Sequence, residues 1–326
     1  MTPLPVAELH VHVEGTLEAD LLVALARRND VALPTYDAAA LTERYRHFTN
    51  LQSFLDVYYA NLAVLREPTD FYDLMAAYLR RAEAAGVRRA EVFFDPQTHL
   101  NNGIGFEAVI EGFAAAVADA PISADLILCF LRDLGPEAAE ETLRAALKFR
   151  EHFIGVGLDS AEVGHPPRMF KRVYEIASGE GLRKVAHAGE EAGPDYVWEA
   201  LDVLGVERID HGVRSLADPE LVARLRADRV PLTVCPLSNL CLKGVGSLAE
   251  HPLKAMLDAG LLVTVNSDDP AYFGGHVDDN FAAVRAALAL TDEDVRQLAL
   301  NSFEASFASR EDKDRWRAEA LAARIS

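Results

Sequence analysis

Two histidines one residue apart, His10 and His12, lie in the run Ala7-Glu-Leu-His-Val-His-Val-Glu-Gly15. On an extended strand, alternate side chains share a face. Both imidazoles therefore point one way, and Leu9, Val11 and Val13 point the other. Two imidazole nitrogens converging on one point can share a metal ion, and neutral imidazole is a natural zinc ligand. A His-x-His pair is also what two buried, locally hydrogen-bonded histidines look like, so the weight falls on what the rest of the chain supplies. Four later apolar runs end in polar residues: His187-Ala-Gly-Glu190, Asp210-His211-Gly, Cys235-Pro-Leu-Ser-Asn239 and Asn266-Ser-Asp268-Asp269-Pro270. Singly these read as core histidines or turns. Jointly they bring imidazoles and carboxylates to several strand ends, a placement that packing alone does not explain.

Zinc chemistry suggests how to divide them. A catalytic zinc takes several protein ligands and keeps one position for a water, whose pKa falls to about 7. His10, His12 and His187 can supply three nitrogens and Asp268 a carboxylate, an expectation of one Zn²⁺ per chain. His211, Glu190 and Asp269 then face water and substrate. His211 would hold or deprotonate the attacking water, Glu190 would pass a proton to a substrate nitrogen, and Asp269 would hydrogen-bond the substrate. A carboxyl beside other negative groups and away from bulk water has its pKa raised, which suits the task given to Glu190. No lysine stands at a strand end to bridge a second ion.

The elements that would carry these residues alternate. Strand-like runs are expected at 7–15, 89–95, 122–131, 153–160, 184–187, 208–211, 232–235 and 262–266, with helical patterns between most of them. Eight βα units close naturally into a (β/α)8 TIM barrel, and no Gly-x-Gly-x-x-Gly turn follows the first strand to favour an open doubly wound sheet. Residues 16–28 read as a helix with Thr16 at its N-cap. An aromatic helical insert at 41–66, with Tyr45, Phe48, Phe54, Tyr58 and Tyr59, follows the first strand. It reads equally as a lid over the active face or as core packing. Further helices are expected at 136–149 and, after the last strand, at 278–290, 291–307 and 312–324. No linker or repeat divides the chain, so residues 1–326 read as one domain.

Composition narrows the partners. A formal charge of −19 argues against nucleic acid, whose affinity rests on Lys and Arg meeting phosphates, and against an anionic membrane surface. No apolar run has the length of a membrane span, no signal segment opens the chain, and three cysteines without Cys-x-x-Cys spacing fit a reducing, cytoplasmic setting.

Motif for motif, the ordered set from His10-x-His12 to Ser267-Asp268-Asp269-Pro270 resembles the adenosine and adenine deaminase family, metal-dependent aminohydrolases on a (β/α)8 barrel. The resemblance implies His10, His12, His187 and Asp268 as zinc ligands. It also implies Glu190 as proton donor to purine N1, His211 beside the water and Asp269 at N7. The runs Gly157-Leu-Asp159-Ser-Ala-Glu162-Val-Gly-His-Pro166 and Phe93-Phe94-Asp95-Pro96-Gln97-Thr98-His99 look like the adenine branch. That implies a small-molecule purine substrate and a purine salvage reaction, adenine to hypoxanthine. Gly157, Glu162 and Gln97, with His99, would line the substrate pocket. Glu162 stands where nucleoside deaminases have glycine, and its added acceptor would meet the N9–H or N3 edge of the free base; the plainer reading turns it into an ion pair. His165 replaces the asparagine common in that branch. Adenosine or another 6-aminopurine nucleoside is the alternative substrate. A metal-dependent ester, lactone or phosphotriester hydrolase is the alternative reaction, and a zinc-stabilised binding protein the alternative without turnover.

Overall fold

Strands buried on both faces read as unbroken apolar runs, because helices cover the sheet outside and side chains fill it inside. Eight such runs become the barrel staves in the computed structural model, which describes residues 3–45 and 48–325. They are β1 (Val6–Glu8), β2 (Val87–Phe94), β3 (Ser123–Leu131), β4 (Gly155–Asp159), β5 (Arg183–Ala188), β6 (Arg208–His211), β7 (Pro231–Val234) and β8 (Leu262–Val265). Each pairs in parallel with its sequence neighbour, in the order β1 to β8. Helices lie between the strands, which is the (β/α)8 arrangement expected from the alternation.

The seam between β8 and β1 is made by the residues that carry the chemistry. Val11 bridges Asp268 in parallel. The His12 N–H donates to the Asp268 carbonyl at 3.0 Å, the Asp268 N–H to the His10 carbonyl at 3.1 Å, and the Leu9 N–H to Asn266 Oδ1 at 2.9 Å. The expected first strand, 7–15, is thus a short regular strand prolonged by isolated bridges, since beyond Glu8 its partners are strand ends rather than full ladders. His12 bridges Phe93, and the chain then tightens into a 3₁₀ turn at Glu14–Thr16. Thr16 does not cap the next helix. Its hydroxyl donates back to the Val13 carbonyl at 2.6 Å, and the helix Ala19–Arg28 begins three residues later.

The aromatic insert forms the helices Ala38–Arg44 and Leu51–Asn61 and a turn at Leu62–Val64. Asp37 caps the first through the Ala39 and Ala40 N–H groups, and Asn50 and Ser53 form a capping box on the second. Arg46 and His47, inside that insert, lie outside the described residues. The helix expected at 136–149 stops at Ala146, where a 3₁₀ segment broken by Phe149 (φ −122°) takes over. The last three helices are Val277–Ala287, Asp292–Ala305 and Arg310–Ala322. Two of these close the far mouth of the barrel, with Phe303 and Trp316 packed against Ala7 and Leu9 and Ser302 Oγ accepting from the Ala7 N–H at 2.8 Å. Above this floor Arg208, fully buried, pairs with Glu91 and donates to the Leu9 carbonyl at 3.1 Å, fixing the segment that leads to His10. Among the described residues, no helix is long and apolar enough to cross a membrane.

Candidate active site

At the C-terminal ends of the strands, four donors meet. One ligand atom each from His10, His12, His187 and Asp268 falls within 4.8 Å of the others. His12 Nε2 and His187 Nε2 stand 3.3 Å apart, and Asp268 Oδ1 lies 3.4 Å from His10 Nε2 and 3.6 Å from His12 Nε2. Two nitrogens held at about 2.05 Å by one tetrahedral ion stand about 3.3 Å apart. Hydrogen-bond accounting fixes which nitrogen of His10 is free. Thr233 gives its hydroxyl proton to Asp210 Oδ1 at 2.8 Å, so it accepts from His10 Nδ1–H at 2.9 Å. The lone pair of His10 Nε2 is left buried with no protein partner. Asp210 Oδ2 sits 3.7 Å from His187 Nδ1, beyond hydrogen-bond distance, and Asp210 orients His10 through Thr233. Burial pushes His12 down to about 4 and His187 well below its ordinary value, keeping both neutral at pH 7. Burial opposes ionisation of Asp268, yet the His10, His211 and His12 imidazoles hold its carboxyl well below the usual range. Three neutral imidazoles and a carboxylate fit a divalent ion such as zinc.

His211 faces the same centre, its Nε2 lying 3.6 Å from Glu190 Oε1 and 3.7 Å from Asp268 Oδ2. Behind it stands a chain whose direction is set by a backbone group. The Leu253 N–H donates to His251 Nδ1 at 3.1 Å, so His251 carries its proton on Nε2 and donates to Asn239 Oδ1 at 3.1 Å. The Asn239 amide nitrogen then points at His211 Nδ1 across 3.5 Å. Burial lowers His211 to about 3, and neutral His211 in this chain bears its proton on Nε2, toward the centre. His211 (φ 64°) and Asp268 (φ 65°) both hold left-handed backbone, as does Ser160 (φ 67°) after β4. Such strain clusters where the surroundings over-determine a functional position. Burial raises Glu190 well above the carboxylate range, with Asp268 and Glu162 adding to it, and burial together with Asp268 does the same to Asp269. Gly15 makes room for Asp269: a Cβ there would stand 1.9 Å from Asp269 Oδ1.

The cavity over these groups, partly open to solvent, encloses about 440 Å³. His12, His187, Glu190, His211, Asp268 and Asp269 line its polar part, and Phe54, Leu55, Tyr58 and Tyr59 of the insert roof it. That insert is core as well as roof, for Phe54 and Tyr58 also pack on Tyr272 at 5.5 and 5.6 Å between ring centroids. Four residues expected at the pocket lie elsewhere. The Glu162 carboxylate is fully buried and turned to the backbone, Oε1 accepting from the Gly189 N–H at 2.7 Å and Oε2 from Glu190, Glu191 and Ala192 at 3.1, 2.7 and 2.9 Å. It braces the turn that carries Glu190 and is not among the residues lining the cavity. Gly157 faces the barrel interior against Cys129, where a Cβ would meet Sγ at 2.5 Å. Gln97 Oε1 accepts from the Leu131 N–H at 2.8 Å, and His99 bonds Glu14 at 3.0 Å. Two residues that do line the cavity, Asp95 and Asp159, had been given no part in the chemistry. Both stand at strand ends, after β2 and at the end of β4, where the signal that singled out Asp268 was equally available. Burial raises both carboxyls, Asp159 to about 7.

The sequence model described as Adenosine deaminase matches residues 5–322. An adenine deaminase of Streptomyces coelicolor is 60% identical over 99% of this chain and 95% of its own length. That of Hahella chejuensis is 54% identical over 96% and 94%. Among solved structures, an adenine deaminase from Arthrobacter aurescens superposes with a TM-score of 0.95 at 52% identity, covering 98% of each chain. An amidohydrolase from Burkholderia ambifaria, solved with bound Zn, gives 0.88 at 29%, covering 98% of this chain and 90% of its own. With its family model matched almost end to end and a relative 60% identical over 99% of its length, the chain belongs to the adenosine deaminase family.

Proposed function

We propose that this chain, acting as one domain, catalyses the hydrolytic deamination of adenine to hypoxanthine and ammonia. Relatives named adenine deaminase match it at 53–60% identity over nearly its whole length. The observation that carries the chemistry is the meeting of four candidate metal donors with a buried carboxyl, Glu190, and an imidazole, His211, around one cavity.

His10, His12, His187 and Asp268 would hold one Zn²⁺. When bound, such an ion brings a water's pKa to about 7 and so supplies hydroxide at neutral pH. The chain's own groups then act on the purine. His211 offers Nε2–H to the attacking oxygen, so of the two roles open to it, holding the nucleophile fits its hydrogen bonds and deprotonating it does not. Glu190, kept protonated by burial, gives its proton to N1 as oxygen adds to C6. Asp269, also kept protonated, donates to N7 on the other side of C6. The adduct collapses when the amino group takes the hydroxyl proton and leaves as ammonia, and Glu190 is restored by the proton the water lost. Three cysteines outside any disulfide suit a cytoplasmic enzyme.

The test is ammonia release by zinc-loaded protein given adenine or adenosine at equal concentration, with Glu190→Gln alongside. Activity on adenine that disappears in the variant is expected. Preference for adenosine would remove the substrate assignment, and an ester hydrolase would keep part of its activity in Glu190→Gln.

A further inference from the structure

One group of buried carboxyls takes no part in the steps above. Asp95 and Asp159 are 3% and 2% exposed and both line the cavity. Beyond the hydrogen bond that joins the two carboxyls, Asp95 Oδ1 and both oxygens of Asp159 have no protein donor within ordinary hydrogen-bond distance. A buried carboxyl pair with acceptor capacity left over is costly, so its retention in a cavity wall points to a donor that arrives with the ligand. Their neighbour is His12, whose Nδ1 stands 3.5 Å from Asp159 and 3.8 Å from Asp95.

These three residues resemble a second metal site, but His12 is spent. Its Nε2 belongs to the four-donor centre, so the neutral ring carries its proton on Nδ1 and has no second lone pair to give. The position of the pair suggests another occupant. It stands beside the Nδ1 side of the His12 ring, in the wall of the same cavity. On a purine, N1 and N7 flank C6, and the N3–N9 edge is opposite. With Glu190 at N1 and Asp269 at N7, the cavity wall left for the opposite edge includes Asp95 and Asp159. Free adenine presents N9–H there, a donor that a nucleoside lacks. A carboxyl group accepts from it through an anionic or a carbonyl oxygen alike. Tyr59 and Ser160, whose hydroxyls lie 3.3 Å apart, line the same cavity.

We propose that Asp95 and Asp159 form the base-recognition end of the site, accepting N9–H of adenine and excluding 9-substituted purines. This inference rests on the adenine reading, and its test separates the two. Zinc-loaded wild type, Asp95→Asn and Asp159→Asn are compared on adenine and on 9-methyladenine, the latter followed as substrate and as competitive inhibitor. Wild type should prefer adenine in kcat/KM by about 100-fold or more, the loss of a charge-assisted bond plus a steric term. Each variant should lose about 10- to 100-fold on adenine while its handling of 9-methyladenine changes little. A purely structural role would depress both substrates by one factor, and that result overturns the proposal, as does a wild type that uses both bases equally. The wild-type pair decides even where a variant fails to fold. Wild type inert on adenine would instead refute the functional reading itself, and this inference would fall with it.

Discussion

Glu162→Gln replaces a carboxylate that gathers four backbone N–H groups with an amide that has one acceptor oxygen. The better orientation keeps the oxygen at the Oε2 position, with the Glu190, Glu191 and Ala192 N–H groups, and sets the NH₂ against the Gly189 N–H. One buried donor then loses its partner and three bonds lose their charge assistance. A cost of about 3 kcal/mol follows, from 1–3 for an unsatisfied buried donor and a fraction for each weakened bond. For a chain of 326 residues that lowers Tm by about 4 °C, taking roughly 2.1 cal/mol/K of unfolding entropy per residue. The strain falls on the turn that carries Glu190, and a shift of about 1 Å in a proton donor can cost about 100-fold in rate. Thermal unfolding and steady-state kinetics of zinc-loaded protein read both effects: lower Tm, lower kcat, and a KM for adenine close to wild type. An unchanged Tm with a raised KM and new activity on adenosine would refute this reasoning. It would return Glu162 to the substrate edge where the sequence had put it.

Glu190→Gln should cut kcat about 100- to 10,000-fold while leaving Tm unchanged or higher, since a neutral amide replaces a carboxyl crowded by Asp268 and Glu162, as calorimetry would register. Gly15→Ala forces a methyl to within 1.9 Å of Asp269 Oδ1, so kcat/KM for adenine should fall about 100-fold with metal content unchanged by atomic absorption. Chelation of the ion, or Asp268→Ala, should abolish activity and lower Tm, and added zinc should restore only the wild type. Burial lowers His251 to about 4 from an ordinary 6.5, so the unfolded chain binds its proton first. Its contribution to stability is therefore complete above pH 6.5 and declines as pH falls toward 4, by about 3 kcal/mol in all. Urea unfolding of wild type and His251→Gln at pH 7 and pH 5 checks this, and a loss on acidification that is equal in both would contradict it.

The barrel was legible because parallel strands are apolar on both faces, so polar residues at their ends stand out against the pattern. Strands at 208–211 and 262–265 needed almost no adjustment, and the donors His10, His12, His187 and Asp268 converge as their chemistry suggested. Harder to read was direction. A string of residues gives no hint whether Glu162 faces a cavity or the N–H groups of a turn 27 residues downstream. Asp95 and Asp159 acquire meaning only when β2 and β4 bring them together beside His12. The orientation of Asn239 depends on a backbone N–H at Leu253, a fact no side-chain motif encodes.

The seam between β8 and β1 bears on how the molecule comes into being. Two of the four donors, His10 and His12, belong to the first segment made, and Asp268 belongs to the last stave. Synthesis runs at about 5–20 residues per second, so the first two histidines leave the ribosome well before the carboxylate that completes their set. A chain halted before β8 lacks both the closing bridge and the fourth donor, and keeps only the three imidazoles of the set. The four-donor set is therefore complete only once the barrel has closed.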